Sequence, residues 1–112
     1  QALKSATLQA DQIRTNNAIT FSDQRLKENI KLINPQDNIN NIMKMNGYEY
    51  KNKVTNNKDK GVIAQQIEKS NPDLVDNNHK FKGVKYDNII PMLIEGIKYQ
   101  QKEIDLLKSK IK

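Results

Sequence analysis

The clearest rhythm of apolar and polar positions lies near the end of the chain. Ile90, Leu93, Ile97, Gln100, Ile104, Leu107 and Ile111 follow one another at spacings of three and four. That is the a/d seam of a coiled coil, with one polar position in it. So narrow a stripe is buried only against partner helices, so the pattern predicts a coiled-coil helix over about residues 88–112 and an oligomer. Asp87 or Asn88 can cap this helix, and Pro91 suits its first turn. Ile at a with Leu at d leans towards two strands. A seam this short can be overridden by contacts elsewhere in the subunit.

The rest of the chain breaks into shorter pieces. Leu3, Ala6, Ala10 and Ile13 repeat at three, four and three, which fits the end of a stalk or a frayed linker. Asn16-Asn17 forms a turn and Ala18 to Phe21 an extended lead-in. Ser22-Asp23 signals a helix start, and Leu26, Ile30 and Ile33 keep helical spacing until Asn34-Pro35. Pro35 opens a second helix with Ile39, Ile42, Met43 and Met45 on its apolar side. Asn46-Gly47 is a turn, and Tyr48 to Lys51 alternate as a strand. Residues 52–60, polar but for Val54, read as a loop. Gly61 to Ala64 read as a short buried strand, and Gln65 to Ser70 as a brief helix ended by Asn71-Pro72. Leu74-Val75 begins another strand, Asn77-Asn78 turns it, and Phe81 to Tyr86 return. The class is α+β: small mixed helices and short strands before one long helix.

Composition narrows the chemistry. The 112 residues suffice for one small domain. Only 36% are hydrophobic, and the mean hydropathy is −0.85. A domain this small and polar buries little on its own, which again favours partner subunits. No Cys is present, so disulfides and thiolate metal sites are excluded, and a lone His79 cannot build a His-rich one. We expect no metal and no cofactor. The net charge of +6 admits an anionic partner. The Lys residues are interleaved with Asn, Asp and Glu rather than clustered, which argues against nucleic acid. No apolar run approaches the roughly 20 residues that span a bilayer, so no membrane partner is expected. There is no signal-peptide pattern. Gln1 is not an initiator, so we expect a longer parent chain.

At Ser22 the chain carries a specific string. Ser22-Asp23-Gln24-Arg25-Leu26-Lys27-Glu28-Asn29-Ile30 closely resembles the signature that opens the C-terminal intramolecular chaperone domain of phage endosialidases, tailspikes and tail fibres. The same domain is similar to the self-cleaving segment of myelin regulatory factor-type transcription factors. Further blocks follow in family order: Asn46-Gly47-Tyr48-Glu49-Tyr50, Gly61-Val62-Ile63-Ala64-Gln65-Gln66-Ile67, Asn71-Pro72-Asp73-Leu74-Val75, and Val84-Lys85-Tyr86 through Ile97. The resemblance covers about residues 20–104. Gln66 stands where the family usually has Glu. Gly96 replaces the more usual Ala, at roughly 1 kcal/mol of helix propensity.

The resemblance implies a homotrimer that helps the preceding fibre or spike domain to trimerise and then cuts itself off before the signature Ser. It puts the nucleophile on Ser22, the general base on Lys27 and the cut between Phe21 and Ser22. It divides the chain into residues 1–21, a stalk end or released segment, and 22–112, the chaperone autoprotease. It also implies a virion precursor assembled in the host cytoplasm, with the chaperone fragment released after cleavage.

The chemistry is coherent, since Ser–Lys pairs are known variants of the serine triad. Residues i and i+5 lie on different sides of a helix turning about 100° per residue. Ser22 is therefore expected outside the helix, in the extended lead-in, with Asp23 as cap and Lys27 one turn inside. Attack within the chain and attack across a subunit contact both remain open. So does a plainer arrangement, in which Lys27 pairs with Asp23 at i, i+4 and the module trimerises without cutting. A basic nucleic-acid module is the further rival. His79 is read as an exposed loop residue, and Tyr48, Tyr50 and Tyr86 as strand-packing side chains. Met43, Met45 and Met92 are read as core fillers.

Overall fold

The structure is a computed structural model that describes residues 19–111. The short seam expected at Leu3, Ala6, Ala10 and Ile13, and the Asn16-Asn17 turn, lie outside the described residues. The chain divides into two units with the boundary between Lys31 and Leu32.

Among its described residues the first unit holds one regular feature, a three-residue 3-10 turn at Gln24–Leu26 capped by Asp23. The helix expected to run on to Ile33 is absent. Lys27 is already extended, at φ −126 and ψ 145, and Asn29 takes a left-handed φ of 56, which a right-handed helix cannot accommodate. The physical reason is the stripe itself. Leu26 and Ile30 keep helical spacing but stay 71% and 66% exposed. Propensity without packing does not hold so short a helix.

The second unit begins with helix α1, Pro35–Ile42. Pro35 takes the first position, where its missing N–H costs nothing, and Asn34 Oδ1 accepts from Asp37 N at 3.0 Å. Strands β1, Tyr48–Lys51, and β2, Lys58–Gly61, form an antiparallel hairpin with Tyr48 opposite Gly61 and Lys51 opposite Lys58. Asn52 organises its turn: the side-chain Oδ1 accepts from Val54 N and Thr55 N, at 2.8 and 3.1 Å. The expected loop at 52–60 thus gives its last three residues to β2, and the expected strand at 61–64 keeps only Gly61. Lys58, Asp59 and Lys60 are exposed on both faces. Their strand is made by backbone pairing and leaves no apolar alternation to read.

Helix α2, Ala64–Ser70, ends at Asn71 and leads into a 3-10 turn at Pro72–Leu74. Strands β3, Val75–Asp76, and β4, Gly83–Val84, pair through two residues each. The return strand expected over Phe81 to Tyr86 is therefore much shorter: Phe81 lies in an exposed bend, and Tyr86 opens the next helix. The intervening turn is fastened to α2. Glu68 accepts from Asn77 Nδ2 at 2.7 Å and pairs with Lys82 at 3.0 Å, and these partners hold its carboxyl below the usual range.

Helix α3 runs from Tyr86 to Ile111, 26 residues, or about 39 Å. It starts before the expected caps, so Pro91 sits inside the helix, past the first turn. Ile67, Leu74 and Val75 are the buried apolar core, with Met45, Val62, Ala64, Ile89 and Met92 packed against it. Met45 and Met92 fill the core as expected; Met43 caps α1 and is exposed. Helix α1 lies on α3 at Gly96, where an added Cβ would stand 2.8 Å from Ile42 Cδ1. Buried Asn38 donates across the same contact to the Met92 carbonyl at 2.9 Å, and Tyr99 donates to Gln36 at 3.0 Å. The seam of α3 is bare: Ile90, Leu93, Ile97, Ile104, Leu107 and Ile111 are 45% to 81% exposed, and Ile94 and Leu106 extend the apolar face beside it.

Candidate functional site

Two features of the sequence meet in the turn at Gln24–Leu26. Ser22 lies in the lead-in and Lys27 is the residue that ends the turn. Leu26 N donates to the Asp23 carbonyl and Lys27 N to the Gln24 carbonyl, both at 3.0 Å. These bonds fold the chain back over one tight turn. Lys27 Nζ thereby donates to Ser22 Oγ at 2.5 Å. Ser22 sits outside the turn with Asp23 as cap, as expected. Lys27 is not one turn inside a helix but in extended backbone just beyond it.

The i, i+4 pairing of Asp23 with Lys27 does not form. Asp23 is taken by Arg25. Its Oδ1 accepts from Arg25 N at 2.8 Å and from Nε at 3.1 Å, and its Oδ2 accepts from Nη2 at 2.9 Å. The Arg25 side chain and backbone N–H together hold the Asp23 carboxyl below the usual range. The sequence reading missed this pair. Residues two apart do not face each other on an α-helix; these meet because Asp23 is extended and the turn after it is 3-10. An Asp cap two residues before an Arg was the available signal.

All of these groups are exposed, including Phe21, whose side of the bond is 87% accessible. Elsewhere Tyr50 and Tyr86, expected to pack on the strands, stay 43% and 50% exposed. Tyr48 donates to Gln66 Oε1 at 2.9 Å, and Tyr86 Oη accepts from Val62 N at 3.1 Å. Gln66 thus serves as an acceptor where the resemblance led us to look for an acid. His79 is an exposed loop residue 3.8 Å from Asp76. Among the described residues no cluster of His, Cys, Asp or Glu could hold a metal, and no helix is long and apolar enough to cross a membrane.

Residues 22–76 match the Peptidase S74 family model, described as the chaperone of endosialidase. This segment belongs to that family. The chaperone-of-endosialidase match opens on Ser22 itself, and it spans the turn, both hairpin strands and the whole of α2. An uncharacterised protein of Dictyostelium discoideum is 41% identical over 54 residues, which cover 41% of this chain and 5% of that protein. Membership in the chaperone family supports an intramolecular chaperone role, and the family's peptidase name points to a serine-type self-cleaving activity.

Proposed function

We propose that the chain drives homotrimerisation of a fibre or spike domain that precedes it, and then cuts itself between Phe21 and Ser22. The observation that carries this reading is the Ser22–Lys27 contact, standing on the residue where the family match begins. In this reading the parent is a virion precursor assembled in the host cytoplasm, and the chaperone fragment leaves after the cut. The bare seam of α3 supports the oligomer, since a stripe of Ile and Leu of that length is a standing cost in water.

The chemistry follows from what each atom offers. A general base needs a lone pair, so Lys27 acts as the neutral amine, and the 2.5 Å contact then runs with the Ser22 hydroxyl donating. Oγ attacks the Phe21 carbonyl carbon, either from its own chain or across a subunit contact. Within the chain the attack closes a five-membered ring. The Phe21–Ser22 C–N bond breaks, the proton taken by Lys27 goes to the departing Ser22 nitrogen, and an ester to Oγ remains. Water hydrolyses that ester to a Phe21 carboxylate and a free Ser22 hydroxyl. Burial favours a neutral amine. Packing between subunits is the step that would dry this exposed turn and so couple cutting to assembly.

Intact-mass measurement and N-terminal sequencing of freshly expressed chain test the proposal. A fragment beginning at Ser22 is expected, and Ser22→Ala or Lys27→Ala should leave full-length chain that still assembles. A wild-type chain that stays full length after complete assembly would leave only the trimerisation role. A DNA titration disposes of the basic-module rival if binding is weak and vanishes with salt.

A further inference from the structure

The sequence offers Lys27 two oxygen partners, Asp23 and Ser22, and the structure shows it on the neutral one. Its Nζ touches Ser22 Oγ, the neighbour of Asp23, and Asp23 is four residues before it. A free carboxylate next to a neutral hydroxyl attracts an ammonium more strongly, since ionised acceptors make hydrogen bonds roughly twice as strong as neutral ones. An ammonium held that way is the wrong form for a base. Yet both oxygens of Asp23 are engaged: each receives the Arg25 guanidinium, and one also receives the Arg25 backbone N–H. A planar guanidinium fork binds a carboxylate at two points, where Lys binds as a single charge.

We infer that Arg25 is a positioning residue whose task is to keep Asp23 occupied, so that Lys27 stays on Ser22. This rests on the autocleavage reading for its consequence and on the Asp23–Arg25 geometry for its cause. Asp23 stays in the sequence because the turn needs its cap. An Asn there would cap equally well without a charge, and would make Arg25 dispensable.

That last point supplies the test. In the full-length chain Arg25→Gln should cut on the order of fivefold more slowly, the range of an exposed ion pair, with assembly by light scattering unchanged. Arg25→Lys should fall between Arg25→Gln and wild type. Asp23→Asn should cut near the wild-type rate, and adding Arg25→Gln to it should cause no further loss. In parallel, acylation of Lys27 by an amine-reactive ester is followed by peptide mass mapping in the Ser22→Ala chain. Arg25→Gln should slow labelling several-fold, and Asp23→Asn should restore it. An Arg25→Gln chain as fast as wild type overturns the inference. So does an equal slowing in the Asp23→Asn background, which would mean that Arg25 acts through its own charge or its packing. If the wild type does not cut, the autocleavage reading falls, and the labelling arm still decides whether Arg25 withholds Asp23 from Lys27.

Discussion

The carboxyl of Asp23 gathers donors from a single residue, and that makes the turn responsive to acid. Its folded pKa is depressed by the Arg25 side chain first and the Arg25 N–H second. A depressed carboxylate favours the folded turn at every pH above the free Asp range near 3.9, and that contribution disappears as pH falls through the folded value. The Arg25 amide resonance should therefore hold its position from neutral pH to about 4 and move below it. In Asp23→Asn the movement should be gone. A transition near pH 6 instead would mean that another group controls the turn. At this scale the proposed nucleophile and base were legible in the Ser22-to-Ile30 string, but only through its resemblance to a family. Helical spacing alone favoured Asp23, at i, i+4, over Ser22, at i, i+5, as the partner for Lys27. What decided between them was a guanidinium whose reach depends on the local backbone, which residue order does not display.

Among the elements, α3 was the most legible because its rhythm persists over many turns. The segment from Ser22 to Ile33 had the same rhythm over a shorter run and does not form a helix. The difference lies in length and anchoring: α3 is 26 residues long, and Ile89 and Met92, beside its bare seam, pack on the core, whereas Leu26 and Ile30 stay 71% and 66% exposed. Strand β2 was illegible for the opposite reason, as its polar side chains carry no trace of the ladder that makes it. Gly96 shows how packing outweighs propensity. An Ala there would gain roughly 1 kcal/mol in the helix, but its Cβ would press on Ile42 Cδ1 at 2.8 Å. That atom is the free end of a side chain and can move. Gly96→Ala should accordingly shift the unfolding free energy by less than about 1 kcal/mol. Gly96→Leu should push α1 off α3 and cost about 1–3 kcal/mol, read by urea denaturation. Equal stability of the two variants would show that α1 and α3 do not meet closely there.

Among the described residues only three apolar side chains, Ile67, Leu74 and Val75, are buried in the core, while the seam of α3 lies open. Hydrophobic burial is the main favourable term in folding, so the proposed oligomer, by covering the seam, would supply much of this protein's stability. Thermal unfolding should then depend on protein concentration. Ile97→Asp, which puts a charge in the middle of the seam, should yield monomers by light scattering and a lower melting temperature. A melting temperature independent of concentration, with Ile97→Asp still assembled, would remove α3 as the interface. The expectation of an oligomer could be read directly from Ile90 to Ile111. The number of chains could not, because three heptads specify it weakly against contacts made by the rest of the subunit.

The bonds described for the turn that joins Ser22 to Lys27 lie within six consecutive residues. Loops of about 10 residues close in roughly 10–100 ns, whereas subunits assemble in milliseconds to minutes. Ser22 and Lys27 would thus find each other on a newly made chain long before it could find partner subunits. A cut that waits for assembly must then begin with a lag. The lag shortens as chains become more concentrated, and once it is over the reaction proceeds with first-order kinetics at a rate that dilution no longer changes.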